Sequence, residues 1–253
     1  MKHNSSVSGA LPRKVFHLAR SASVLVLSTA LFACAHQPSA TIAADPAVMT
    51  KAKLTQMSAD QALQALKDGN ARFVSGNVIK RDLPAQVKAT GYDGQFPLAS
   101  IVSCIDSRSA PSQVFDQGVG DLFVASVAGN VVNDDILGSL EYASKVVGTK
   151  LIVVLGHTHC GGVKGACDAA ELGNLTQLLN KIRPAVNMTP DVHGSDRSSK
   201  NHYFVDEVAE NNVKLNVKAV LDKSPVLREM AQKGQVKVIG AMLDVETGKI
   251  RFF

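Results

Sequence analysis

The sequence of 253 residues lacks an uncharged apolar stretch long enough to cross a bilayer, lacks internal repeats, and lacks any run of Lys and Arg interleaved with aromatics. These absences exclude a multi-span membrane protein, a collagen-like array and a nucleic-acid-binding surface. Charge is also sparse, at 19% of residues against 45% hydrophobic, a balance that excludes disorder and supports one full-sized core. The formal net charge of +5 is no binding patch. Lys2, Arg13, Lys14 and Arg20, with no acid among the first 33 residues, supply all but one of those charges.

Those first residues read as an export signal. A basic segment ending near Arg20 leads into Ser21 to Ala33, thirteen residues without charge, the length of a signal-peptide apolar region and too short for a membrane span. Leu31-Phe32-Ala33-Cys34 resembles the lipobox of bacterial lipoproteins, in which the cysteine is lipidated and begins the mature chain. Cleavage after Ala35 is the other reading, and both export the protein. The expected organisation is a lipoprotein-type signal peptide (1–33), a tether (34–57) and one domain (58–253), in the periplasm or anchored to a membrane by lipid at Cys34. Three cysteines then remain, Cys104, Cys160 and Cys167, and an odd number in an oxidising compartment argues for ligands or free thiols over a disulfide framework.

Within the domain, Ser58 and Gln61 form a capping box opening a helix to about Val74. Leu98 to Ser103 and Asp121 to Ser126 read as short strands, and Asn133 or Asp134 caps a helix ending at Gly148. Lys150 to Leu155 is the clearest buried strand; helices follow over 162–186 and 202–223, and Pro225 opens another. Gln235 to Val245 is a fourth strand, and Glu246-Thr247-Gly248-Lys249 turns it into a short last one. Residues 187–201 read as a loop. Strands alternating with helices predict an α/β fold, a mostly parallel four-stranded sheet with a short extra C-terminal strand, flanked by helices.

Two clusters stand after two of these strands, at the sheet edge where ligands bind in α/β folds: Cys104-Ile105-Asp106-Ser107-Arg108 and His157-Thr158-His159-Cys160-Gly161-Gly162. Two thiolates and an imidazole converging there make a zinc site with three protein ligands and an open fourth position, the catalytic pattern. Asp106, two residues beyond Cys104, reaches the metal or its water if the chain stays extended, and Arg108 can hold that carboxylate in a bidentate fork. Gly161 and Gly162 permit a tight turn into a helix whose amide end faces an anion such as bicarbonate. His159 is read as facing solvent or bonding a backbone carbonyl, Cys167 as a small apolar filler, and His193 and His202 as surface residues.

The pattern C-x-D-x-R followed by H-x-x-C-G-G resembles the β-class carbonic anhydrases. The resemblance implies one Zn2+ per subunit on Cys104, His157 and Cys160, a catalytic dyad of Asp106 and Arg108, and reversible hydration of CO2 to bicarbonate and a proton. It implies a homodimer or homotetramer with active sites at the subunit interface. Gln95, Phe123 and Tyr142 match the family's substrate pocket by their spacing from the motifs, and resemble its non-allosteric subtype. Ser126 and Val127 depart from the Arg-Asn many members carry, whereas Gly129-Asn130 is retained. Other readings of the same residues are hydrolysis of a CO2 analogue (carbonyl sulfide or carbon disulfide), a non-catalytic exported zinc-binding protein, and a hydrolase using Cys160 as nucleophile.

Overall fold

The structure, a computed structural model, describes residues 48–253. The expected signal peptide, Cys34 and most of the expected tether lie outside the described residues. The last part of that tether is folded. Thr50 caps helix α1 (Lys51–Gln56), and Leu54 is buried, with Met49 and Met57 packed on the core. Three apolar side chains suffice to draw this stretch onto the domain.

Helix α2 (Ala59–Ser75) opens with the expected capping box: Gln61 N donates to Ser58 Oγ at 3.1 Å and Ser58 N to Gln61 Oε1 at 2.8 Å. The sequence reading left α3 (Leu83–Asp93) unassigned. Asp82 caps it by accepting from Ala85 N, and Pro84 occupies its first turn. The chain continues through β1 (Ala99–Ser103), α4 (Pro111–Val114), β2 (Leu122–Ser126), α5 (Asp134–Glu141), a π-helical segment (Tyr142–Val147) and β3 (Leu151–His157). It ends through α6 (Gly161–Cys167), α7 (Gly173–Met188), α8 (His202–Lys223), α9 (Pro225–Gln232), β4 (Lys237–Leu243) and β5 (Ile250–Phe252). The single helix expected over 162–186 is thus two. Ala170 N and Ala169 N turn back to Gly165 O and Ala166 O, Ala169 takes a φ of 53°, and the chain leaves the first axis.

The sheet has the order β2-β1-β3-β4-β5, its first four strands parallel and β5 antiparallel, which is the expected architecture. All seven residues of β3 are buried, because side chains alternate between two helical layers. Ile152 and Val154 pack with Leu137, Leu140, Ile182 and Val208 on one face. Leu151, Val153 and Leu155 pack with Leu66, Val114 and Phe115 on the other. Each such side chain contributes about 1.5–3 kcal/mol of apolar burial. After β1 the chain passes to the face of α4, and after β3 to the face of α6–α8, so the carboxyl ends of these neighbouring strands bound an open crevice, the topological switch point of the sheet.

One carboxylate ties α2 to the segment before α3. Asp116, 4% exposed, accepts from Arg72 Nε, Arg81 Nη1 and, at 3.2 Å, Ile79 N. Burial opposes its ionisation, but these donors outweigh burial and hold its pKa below the usual carboxylate range. The stabilisation is therefore present above the unfolded value of about 3.9 and disappears as pH falls through the lowered folded value. Asp116→Ala leaves two guanidinium groups without their partner and should cost about 3 kcal/mol, the lower end for a broken buried pair because Arg72 is 30% exposed. Urea unfolding should show that difference at about pH 7 and a smaller one at about pH 2; a difference independent of pH would refute this account of the clamp.

Candidate active site

Cys104 is the first residue after β1, His157 the last of β3, and Cys160 caps α6 three residues later. Strands β1 and β3 pair in register, Ser103 beside Leu155, so the two motifs meet above adjacent strand ends. Cys104 Sγ, Cys160 Sγ and a ring nitrogen of His157 all lie within 4.8 Å of one another, the only such group of His, Cys, Asp or Glu donors among the described residues. Exposures are 6%, 1% and 0% for Cys104, Cys160 and His157.

The donor set fits zinc. His157 Nδ1 lies 2.8 Å from the Thr158 carbonyl oxygen, which can only accept, so Nδ1 carries the ring hydrogen and Nε2 presents its lone pair. That Nε2 is buried without a hydrogen-bond partner, and an orphaned basic nitrogen between two thiols is what a metal ion satisfies. Each sulfur is also met by main-chain amides: Gly129 (3.4 Å) and Asp106 at Cys104, and Gly162 and Val163 at Cys160. The neighbouring Cys160 thiol lowers the pKa of Cys104, and the same contact together with burial raises that of Cys160. A divalent cation among the donors would supply charge that favours both thiolates. Burial disfavours a charged His157, and the adjoining Cys104 reverses that effect and raises its pKa.

Asp106 reaches the crevice by a route different from the expected extended chain. It caps a 3-10 turn, Ser107–Ser109, and receives three hydrogen bonds from Arg108: the amide N to Oδ1 at 2.9 Å, Nε to Oδ1 at 3.0 Å and Nη2 to Oδ2 at 2.8 Å. The Arg108 guanidinium holds the Asp106 pKa down to about 2, so the group is an acceptor at any working pH. Its Oδ2 stands 3.9 Å from His157 Nε2. The residue therefore stands beside the donor group, with both carboxylate oxygens engaged by its arginine.

The expected substrate residues are placed separately. Gln95 is exposed, ahead of β1 and at the strand end opposite Cys104. Phe123 on β2 pairs with Ser100, and the Tyr142 ring packs edge-on against it with centroids 6.3 Å apart. These two line a cleft of about 730 Å3 with Ser100, Ala125 and Ser139, and no metal-site residue borders it. Gly161 is exposed at the first position of α6. His159 bonds neither solvent alone nor a backbone carbonyl: its Nε2 meets the Glu246 carboxylate at 3.1 Å and its amide N donates to Asp206 Oδ1 at 2.8 Å. It also packs edge-on to His202. Cys167 is a partly buried helix residue against the core, its thiol pushed up to about 11 by burial.

The sequence reading missed the support behind Cys104. Asn212 and Asn216, both buried on α8, hold the turn that carries Gly129, through Asn212 Nδ2 to Gly129 O at 2.8 Å and Val132 N to Asn216 Oδ1 at 2.7 Å. The one sequence signal was asparagine at spacing four on a helix.

Residues 99–250 match the family model described as carbonic anhydrase. The chain is 36% identical to carbonic anhydrase 2 of Mycobacterium tuberculosis over 193 residues, 74% of this chain and 89% of that protein. It is 34% identical to a carbonic anhydrase of Mycolicibacterium smegmatis, over 75% of this chain and 90% of the relative. Among solved structures it is similar to a β-carbonic anhydrase of Aspergillus fumigatus, with a TM-score of 0.59, 29% identity and coverage of 77% and 89% of the two chains. A tetrameric β-carbonic anhydrase of Sordaria macrospora gives a TM-score of 0.56 at 26% identity, covering 66% and 84%.

The purified full chain should carry one zinc per polypeptide by elemental analysis. His157→Ala, which removes the orphaned nitrogen, should bring this below about a tenth under the same dialysis. Full retention of zinc in the variant would place the metal elsewhere.

Proposed function

The chain belongs to the β-class carbonic anhydrases, and from that membership and the geometry of the crevice we infer that it catalyses the zinc-dependent, reversible hydration of CO2 to bicarbonate and a proton. The observation that carries the reading is the Asp106–Arg108 pair beside the Cys104, His157 and Cys160 donors: a structural metal site has no use for an acceptor held ionised 3.9 Å from a ligand nitrogen. Zinc on these three donors supplies a Lewis acid that lowers the pKa of water to near neutrality. The chain's own residues do the rest. Asp106, with Oδ1 and Oδ2 both engaged by Arg108, can only accept, so it would accept a hydrogen bond from the attacking oxygen and leave that oxygen's lone pair free to face carbon. The same hydrogen bonds keep the carboxylate from becoming a fourth metal ligand. Cys160 is a poor candidate for a free nucleophile, since it is 1% exposed and shares its site with a second thiol. The reading favours CO2 over carbonyl sulfide or carbon disulfide because the mycobacterial relatives are carbonic anhydrases.

We also propose that the enzyme works as a homodimer or homotetramer, with Phe123, Tyr142 and Gln95 presented to the metal of a second copy. Three features support this: Tyr142 and Val146 are 55% and 71% exposed, β2 is a sheet edge, and none of Cys104, His157 and Cys160 lines the Phe123 cleft of the same chain. The Sordaria macrospora relative is tetrameric. In that arrangement the two rings would give CO2 an apolar wall and the Gln95 amide would donate to one of its oxygens.

The basic segment and the apolar stretch before Cys34 further support export, with lipid attached at Cys34.

Stopped-flow CO2 hydration by the full chain should show rapid turnover that Cys160→Ser abolishes, with light scattering on the same sample giving a dimer or tetramer. A zinc-loaded oligomer with no turnover on CO2 from about pH 6 to 9 would overturn the assignment. In a bacterial host, the full chain should fractionate with membranes and Cys34→Ser should become soluble in the exported fraction; a cytoplasmic location for both would refute export.

A further inference from the structure

The Gly129 amide that donates to Cys104 Sγ belongs to a turn closed by its own backbone hydrogen bond, Asn130 N to Val127 O at 2.9 Å. Gly129 and Asn130 take φ values of 69° and 45°, so two consecutive residues occupy the left-handed region. A Cβ on Gly129 would stand 2.4 Å from Ile182 Cδ1, so the turn is also pressed against α7. What fixes it is on α8. Asn212, 1% exposed, donates Nδ2 to Gly129 O at 2.8 Å. Asn216, one helical turn on, donates Nδ2 to Asn212 O at 2.8 Å and to Asn212 Oδ1 at 3.1 Å, and accepts from Val132 N at 2.7 Å.

This network sets the orientation of both amides. Val132 N can only donate, so the oxygen of Asn216 faces it and the Asn216 nitrogen faces Asn212. Asn212 Oδ1 is thereby occupied by a donor, and its nitrogen is the end turned to the Gly129 carbonyl. The loop is held at Gly129, within the left-handed pair, and at Val132, just after it, by one helix face.

We propose that Asn212, oriented by Asn216, is a positioning residue for the metal centre: it aims the Gly129 N–H at the Cys104 sulfur and so sets the affinity of the site for zinc. A sulfur in a buried pocket ligates as the thiolate, and an amide hydrogen bond stabilises the charged form in place of water. Without the Asn212 contact the turn is free to relax from the left-handed φ of Asn130 and the donor leaves. The proposal rests on reading Cys104, His157 and Cys160 as a zinc site, and not on the reaction performed there. Asn211 provides an internal comparison. It is a buried asparagine on the same helix, but its Nδ2 bonds Thr189 Oγ1 at 2.9 Å and makes no contact with the turn.

The test is zinc affinity of the full chain, measured by competition with a chromophoric chelator, together with the thiolate-to-metal charge-transfer band of the cobalt(II)-substituted protein. Asn212→Asp keeps the shape and loses the donor, and it should weaken zinc binding by about 10- to 100-fold, the usual range for a residue behind a metal ligand, and shift the cobalt band. Should that variant not fold, Asn216→Asp keeps Asn212 and removes the donor that orients it, and should move both readouts in the same direction by less. Asn211→Ala should lower the unfolding temperature and leave zinc affinity and the cobalt band unchanged. Wild-type affinity and an unshifted band in a folded Asn212 or Asn216 variant would overturn the proposal, as would Asn211→Ala weakening zinc equally. A wild-type chain that takes up zinc yet hydrates no CO2 would remove the enzymatic reading alone, since the affinity comparison still decides this one.

Discussion

Two thiols and an imidazole in a nearly water-free pocket pose an electrostatic problem that the rest of the site answers. Burial disfavours each thiolate, and each disfavours the other. The fold meets this with oriented main-chain dipoles, two amides at each sulfur, and leaves one nitrogen, His157 Nε2, without a partner. A divalent cation among the donors would balance the charge of two thiolates and give that nitrogen its partner. The sheet makes the convergence possible, because β1 and β3 run parallel as neighbours with Ser103 beside Leu155, so Cys104 leaves β1 next to the end of β3 that carries His157. Among the described residues, no other pair of strand ends brings together donors of this kind.

The placement of Asp106 follows from the same constraint. A carboxylate at 3.9 Å from a ligand nitrogen competes for any cation in the pocket. Three hydrogen bonds from one arginine, two residues along the chain, settle that competition in favour of a directional acceptor, and the 3-10 turn supplies the geometry. Arg108 thus holds the Asp106 charge in place and fixes which of its lone pairs remain free. Lysine could match the charge, but it lacks the planar fork that engages both carboxylate oxygens.

The chemistry was legible in the sequence because its carriers are local. Cys104, Asp106 and Arg108 lie within five residues at one strand end, His157 and Cys160 within four at another, and the capping box of α2 and the bounds of α8 are equally short-range signals. What could not be read depends on distance across the fold. Asn212 on α8 reads as a polar surface residue until the Gly129 turn, 83 positions earlier, is packed against it. The clamp on Asp116 joins residues 35 and 44 positions apart. Glu246, the partner of His159, comes from beyond β4, 87 positions away. Spacing from a motif carries no information on which copy's metal a residue faces: Phe123 and Tyr142 share one cleft, and it lies away from the metal donors of their own chain.

The departure at Ser126 and Val127 shows which features of this region are required by geometry. Ser126 Oγ and Ser103 Oγ lie 3.0 Å apart across paired strands, so each hydroxyl answers the other at a point where a long cation would need an anionic partner. Val127 packs on the core and donates its amide to Ser103 O at 3.0 Å, which pins the end of β2 to the end of β1 immediately before Cys104. From there the chain enters the left-handed turn at Gly129 and Asn130. Side chains at the rim can change because a local pair absorbs the loss, whereas the turn depends on a backbone conformation that few residues adopt and on the absence of a Cβ beside Ile182. Retention of Gly129-Asn130 next to an altered Ser126-Val127 is therefore coherent: the metal site depends on where the Gly129 amide points, and that is set by backbone and by α8, not by the residues at the rim.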